Sequence, residues 1–370
     1  MATNKEIRAT IVENDLTTPP ISSIGLLGWL HKNLFSSILN TILTLLAFWL
    51  IYFLLTSIAD WFVFDAVLDA GSRDECKNIG KGACWAVISI RMDQFTYGFY
   101  PGGERWRPNL AFILLFFALA PLLFDRLKFR RQMLLFSLVY PFLSGWLIYG
   151  GFGLKIIDTQ LYGGFMLTLI IGVTGIVASL PIGILLALGR QSRLFSIRII
   201  CTSFIEFLRG VPLITLLFVA STMLNYFLPP GTNFDLLVRV LIMVTLFSSA
   251  YIAEVVRGGI QGIPRGQYEA SDALGLSYWQ TTWLITLPQA LKISIPGIVN
   301  TFIGLYKDTT LVLIIGLLDP LGIGRAVLAD TKWGGLSTET YLFVALFFFI
   351  SCFSMSRYSL WLEKRLSTEH

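Results

Sequence analysis

Charge is scarce in this sequence. Asp, Glu, Lys and Arg make up 14% of its 370 residues, where a soluble domain carries about a quarter. Too few charged side chains exist to coat a soluble globule of this size, and a hydrophobic share of 55% points the same way. Histidine is nearly missing: His31 and His370 lie near opposite ends with no metal-like set of neighbours, so neither a metal site nor His-based catalysis is drawn from them. Four cysteines are too few and too scattered for a disulfide framework or a zinc site. Cys201 and Cys352 stand among apolar residues and read as small packing groups. No GxxxxGK[ST] phosphate loop occurs, so nucleotide hydrolysis is not expected on this chain. No catalytic set, internal repeat or low-complexity tract is visible. Lys5 and Arg8 are followed by no hydrophobic core until about residue 34, where a full-length span begins, so a cleaved signal peptide is not expected.

Long apolar runs fill the rest. A membrane helix needs about 20 residues, and charge-free stretches cover 33–59, 108–124, 132–154, 159–189, 210–234 and 340–356. Two more, about 238–256 and 291–317, carry charges inside them. The expectation is an all-α, polytopic membrane helix bundle of about eight transmembrane helices. The net charge of +5 then reports orientation in a lipid bilayer and no nucleic-acid partner. With the N-terminus inside, short inner segments hold Lys5, Arg8, Lys32, Arg126, Lys128, Arg130, Arg131, Arg190, Arg193, Arg198, Arg209, Arg257, Arg265 and Lys292. Arg357, Lys364 and Arg365 place the C-terminus inside as well. The long outer loop 60–107 contains Cys76 and Cys84, which in an oxidising compartment either pair or remain two thiols. The aromatic residues Phe48, Trp49, Tyr52 and Phe53 of the first span read as an interface belt and lipid-facing packing.

The stretch 263–290, IPRGQYEASDALGLSYWQTTWLITLPQA, is polar and turn-rich between two spans. Pro264 suits the first turn of a helix. A short helix over 267–274 would end at Gly275, the residue that most readily takes a left-handed cap. Ser277 with Gln280 forms a capping-box signature for a second short helix, and Pro288 marks a break beyond it. Two short helices hinged at a glycine make a compact knob on the inner side.

Glu269-Ala270, Gly275 and Ile285-x-Leu287-Pro288, in that spacing, resemble the EAA loop of ABC importer permeases, with Ser271 in place of the usual second alanine. The resemblance implies a coupling segment, 259–290, in which Glu269, Ala270, Ser271, Ala273, Leu274, Gly275 and Pro288 serve a cytoplasmic ATPase. The string Ile205-Glu206-Phe207-Leu208-Arg209-Gly210-Val211-Pro212-Leu213 is similar to the EFxRGxPL segment of polar amino-acid permeases. The segments 253–261, 287–290 and 307–312 are similar to other parts of that subgroup. The resemblance covers about 161–370 and implies a five-helix, type I ABC importer permease-like core. Residues 1–160, with three spans and an outer loop, look like the extension of longer permease subunits of broad-specificity amino-acid systems. The partners implied are a cytoplasmic ATPase dimer carrying ATP and Mg, a second and different permease subunit, and a periplasmic amino-acid-binding protein. The implied place is the bacterial inner membrane, and no cofactor is expected on this chain itself.

Lys307 and Asp308 lie inside a span, where charge is costly and marks function by default. An amino acid carries both signs, so Lys307, Asp308, Thr310 and Asn300, with Glu254 on a neighbouring span, are the candidate substrate path. The competing reading has each charge tie one helix to another. Glu254 with Arg257, and Glu206 with Arg209, are spaced i, i+3 and read first as packing support. An ion-coupled secondary transporter using Lys307, Asp308 and Glu254 is the rival function, but it leaves the 263–290 loop without a purpose.

Overall fold

A computed structural model describes residues 25–124, 129–223, 226, 229 and 234–366. Lys5, Arg8, Arg126, Lys128, His370 and much of the end of the expected 210–234 span lie outside the described residues. The helices are α1 Gly25–Asn33, α2 Ile38–Ala59, α3 Arg73–Ile79, α4 Ala86–Tyr97, α5 Trp106–Leu123 and α6 Arg130–Tyr149. They continue with α7 Gly164–Arg190, α8 Phe195–Gly210, α9 Leu213–Thr222, α10 Leu236–Gln261 and α11 Arg265–Ala273. The last four are α12 Tyr278–Thr281, α13 Leu287–Asp308, α14 Pro320–Leu328 and α15 Ser337–Leu366.

Six described segments are long and apolar enough to cross a membrane: Ile38–Phe64, Arg130–Tyr149, Gly164–Arg190, Leu236–Gln261, Tyr278–Ile315 and Ser337–Arg365. The pair α8 and α9, bent by 99°, makes a seventh if it is one span. Among the described residues, six or seven thus stand beside the expected count of about eight. The expected span 108–124 is the 18-residue helix α5, whose first turn is polar at Arg107 and Asn109. The bend at 210–213 falls where the expected 210–234 span begins, because Pro212 caps α9 in an extended conformation and disfavours helix in the residue before it.

The chain forms two compact units. The first comprises 1–68 and 76–84. In it, Ser37 caps α2 by accepting from the Asn40 N–H, and α2 has no buried residue along its length. Cys76 and Cys84 are joined as a disulfide, which resolves the open alternative in favour of pairing.

The second unit comprises 69–75 and 85–370. Its core gathers Met166, Leu167 and Ile171 of α7, Leu213 and Leu217 of α9, Val240 and Val244 of α10, and Leu305 of α13. Ala111, Leu147 and Ile148 of α5 and α6 join the same core, so the packing is continuous across residue 160. Lipid tails offer no hydrophobic drive between helices, so close approach at small residues holds them together. At Gly183 of α7 an added Cβ would lie 2.6 Å from the Ile252 side chain of α10. Two buried arginines cap helix ends. Arg107 donates from Nε to the Leu147 carbonyl at 2.6 Å and from Nη1 to the Lys155 carbonyl at 2.9 Å. Arg239 donates to the carbonyls of Ala220 and Ser221, at 3.2 and 2.8 Å, in the last turn of α9. The carbonyls of Leu147, Ala220 and Ser221 belong to last turns, where the helix itself leaves them unpaired.

Between α6 and α7 the chain reverses in a two-residue turn. Gly151 and Leu154 exchange backbone hydrogen bonds, and both central residues, Phe152 (φ 47) and Gly153 (φ 97), are left-handed. Such turns favour Asn-Gly, yet Phe152 occupies the first position and is fully exposed. Phe152→Asn is expected to raise stability by about 1 kcal/mol, because the left-handed cost of an ordinary side chain is relieved and no contact is lost. Thermal denaturation of the purified protein measures it. A lower melting temperature would show that the ring is held by something outside the chain.

Candidate functional site

The knob lies between α10 and α13. α11 runs Arg265–Ala273 with Pro264 as its N-cap, one position outside the helix and not in its first turn as expected. Its end is a Schellman motif: the Leu276 N–H donates to the Ser271 carbonyl at 3.1 Å and the Gly275 N–H to the Asp272 carbonyl at 3.0 Å. Gly275 is left-handed with φ +69, as expected, and nothing lies within 4 Å of where a Cβ would stand. Conformation alone therefore demands glycine there. At the start of α12, Gln280 Oε1 accepts from both the backbone N–H and the hydroxyl of Ser277 at 2.9 Å.

Of the expected coupling residues, Glu269, Ala270, Ala273, Leu274, Gly275 and Pro288 are exposed. Ser271 is buried and its hydroxyl donates to the Tyr268 carbonyl at 2.7 Å. Gln289 ties α13 to α11 by donating to Gln267 Oε1 at 3.1 Å. The knob also shows apolar surface: the expected Leu274 at 75% exposure, and beside it Tyr278 and Trp279, packed edge to face, which the motif did not single out.

Pro288 does not break the helix as expected. A π-helical turn, Thr282–Thr286, leads from α12 straight into α13, where Pro288 occupies the first turn. A proline lacks the N–H and crowds the carbonyl four residues back. The wider π turn absorbs that conflict, so one apolar segment runs Tyr278–Ile315.

Where α7, α8 and α10 converge, Glu254 is the centre of an ionic cluster. Its carboxylate takes Arg190 at 2.5 Å, Arg257 at 2.9 Å and Arg209 at 3.6 Å. Arg209 also stands over the Tyr251 ring, 5.5 Å from its centroid. The expected Glu254–Arg257 pair is present. Glu206 instead pairs with Arg190 at 3.1 Å, while Arg209 of the same helix reaches Glu254 of α10.

Lys307 and Asp308 end α13. Lys307 and Asn300, two turns apart on one face, are exposed, and Asp308 is half-buried. Thr310 lies beyond α13 in the 3-10 helix Thr309–Ile315. Its hydroxyl donates to the Lys307 carbonyl at 2.9 Å. Glu254 is not brought to this group. Its neighbour Val255 accepts from the Ser294 hydroxyl at 3.1 Å and crowds Gly297. Asp308 stands eleven residues beyond Gly297, about 17 Å along the helix.

Asp319, which the sequence reading passed over, caps α14 by accepting from the Gly322 N–H at 2.9 Å. Burial pushes its carboxyl up to about 6. An acidic residue just before a proline was the available signal.

The sequence pattern of the family described as binding-protein-dependent transport system inner membrane component matches residues 179–368. The glutamate/glutamine/aspartate/asparagine transport system permease protein BztC of Rhodobacter capsulatus is 46% identical, covering 98% of this chain and 99% of that protein. The inner membrane amino-acid ABC transporter permease protein YhdY of Escherichia coli K12 is 49% identical, covering 92% of this chain and 93% of that protein. Among solved structures, an amino acid ABC transporter described with histidines is 28% identical over 54% of this chain and 91% of its own, with a TM-score of 0.49. A match of this family over half the chain, and of relatives over nearly all of it, settles the class: the chain belongs to the binding-protein-dependent inner-membrane components, the permease subunits of ABC importers.

Proposed function

We propose that this permease carries amino acids across the bacterial inner membrane, with both termini in the cytoplasm, and receives them from a periplasmic amino-acid-binding protein. Residues 161–370 are the five-helix transporting core and 1–160 an extension particular to long permeases. A cytoplasmic ATPase dimer binds and hydrolyses ATP with Mg, and this chain carries no cofactor of its own. A second, different permease subunit completes the pathway. Lys307, Asp308, Asn300 and Thr310 line the substrate path. Glu254, held by three arginines, serves to fix α7, α8 and α10 at the inner end. The membership of the permease family leaves the ion-coupled rival without support.

The observation that carries the coupling half of this reading is the glycine-capped knob, whose exposed Glu269, Ala270, Ala273 and Leu274 form its outer face. A lever must be rigid at its hinge, and the Schellman closure at Gly275 with the continuous α12–α13 run provides that. Gly275→Val places a β-branched residue in a left-handed conformation it strongly resists. The expected outcome is a correctly inserted assembly with uptake reduced about tenfold and ATPase stimulation by loaded binding protein lost. Gly275→Asn, which tolerates that conformation, is expected to retain both. Normal uptake and stimulation in Gly275→Val would overturn the lever.

A further inference from the structure

The first compact unit contains a groove that the transport function does not use. It has a volume of about 390 Å³ and follows one stripe of α2. Its lining starts with Asn33 and Leu34 at the α1–α2 elbow and continues through Asn40, Leu43, Thr44, Ala47, Phe48 and Ile51. These α2 positions recur at intervals of three and four, so they share one helix face.

Polarity is graded along the groove. Asn33 and Asn40 stand at the elbow end and are exposed. One N–H of each amide is engaged, by the Trp29 carbonyl at 2.8 Å and the Ser36 hydroxyl at 2.7 Å. Each amide has a second N–H and a carbonyl oxygen to offer. Thr44 turns its hydroxyl away to the Leu34 carbonyl at 2.9 Å, so past Asn40 the wall is apolar. From Asn40 to Ile51 is about 17 Å along the helix. Half of a hydrocarbon core about 30 Å thick is about 15 Å. The apolar part thus matches the depth of one leaflet, with the amides at headgroup level.

Charge at the elbow has one sign. Residues 25–59 contain no Asp or Glu, while His31 and Lys32 adjoin Asn33 and are exposed. A basic residue at the membrane surface attracts anionic lipid headgroups. A packed transmembrane helix would want a stripe of small residues for close approach, and this stripe sets Thr44 and Ala47 among the larger Leu43, Phe48 and Ile51.

From this grading, depth and charge we infer that the α1–α2 groove is a binding site for one anionic phospholipid, its headgroup at Asn33, Asn40 and Lys32 and an acyl chain along Leu43, Ala47, Phe48 and Ile51. In the orientation proposed above, the lipid belongs to the cytoplasmic leaflet.

Native mass spectrometry of the purified full assembly, with phosphatidylglycerol or phosphatidylethanolamine added, tests the site. The expected result is one phosphatidylglycerol retained per copy of this chain at several-fold lower lipid concentration than phosphatidylethanolamine. Ala47→Trp, which fills the apolar groove, should raise the concentration needed at least tenfold. Lys32→Gln should abolish the preference between the two lipids while leaving the assembly intact. Equal retention of both lipids by the unmodified protein would overturn the inference, as would an unchanged adduct in Ala47→Trp. Loss of another protein chain from Ala47→Trp, with lipid retention unchanged, would assign the groove to a protein partner and equally refute it.

Discussion

Replacing Glu254 by glutamine is expected to destabilise the solubilised permease by on the order of 3 kcal/mol, near the low end of what breaking a buried ion pair costs. The reason is counted in guanidinium groups. One carboxylate, 14% exposed, faces Arg190, Arg209 and Arg257. Glutamine keeps the shape and an accepting oxygen but removes the only negative charge those three share at close range, apart from Glu206 on Arg190. The arginines are 22–40% exposed, so water takes up part of the loss, which is why the estimate stays below the upper range. Thermal unfolding of the purified assembly is the measurement, and a clear drop in melting temperature is expected. Adding Arg190→Met should cost less in the Glu254→Gln background than in the parent, because the two groups form one network. A Glu254→Gln protein that melts with the parent would mean the cluster is solvated and holds nothing.

The sequence made some of this visible because the relevant forces are local. Apolar run length located the crossing helices, and Gly275 was legible because only a glycine is indifferent to a left-handed backbone. Glu254–Arg257 was legible because helical spacing alone brings i and i+3 together. What escaped depends on residues far apart in the chain. Nothing near Glu254 announces that Arg190, 64 positions earlier, or Arg209 of α8 meets it. Arg107 and Arg239 looked like loop and span charges, whereas both cap helix ends formed by other segments. Pro288 misled for a different reason. A proline announces a conflict in the backbone, but the resolution, here a π turn upstream, rests on how Thr282 and Thr286 bury against neighbours. The candidate path was legible as charge in a span, yet its membership was not. Distance along the axis of α13 removes Glu254 from the group.

Asp308→Asn is expected to raise the substrate concentration needed for half-maximal uptake by roughly ten- to a hundredfold. That range follows from losing one hydrogen bond to a charged partner, on the order of 1.5–3 kcal/mol, here to the ammonium of a passing amino acid. The position favours a substrate role. Asp308 is the last residue of α13, half-buried, and adjacent to an exposed Lys307 that points about 100° away around the helix. The two charges therefore face different directions and leave room for a ligand bearing both signs. The junction around them is fixed independently, since the hydroxyls of Thr309 and Thr310 donate to the carbonyls of Tyr306 and Lys307 at 2.8 and 2.9 Å. Removing the Asp308 charge thus leaves the backbone in place. Uptake must be measured with the binding protein saturated, because affinity at that protein would otherwise mask the change. If Asp308 instead ties α13 to another helix, Asp308→Asn should lower the melting temperature and leave the affinity of the surviving assembly unchanged. Uptake and stability both equal to the parent would remove Asp308 from either role and place its carboxylate in water, where its charge costs little and does nothing.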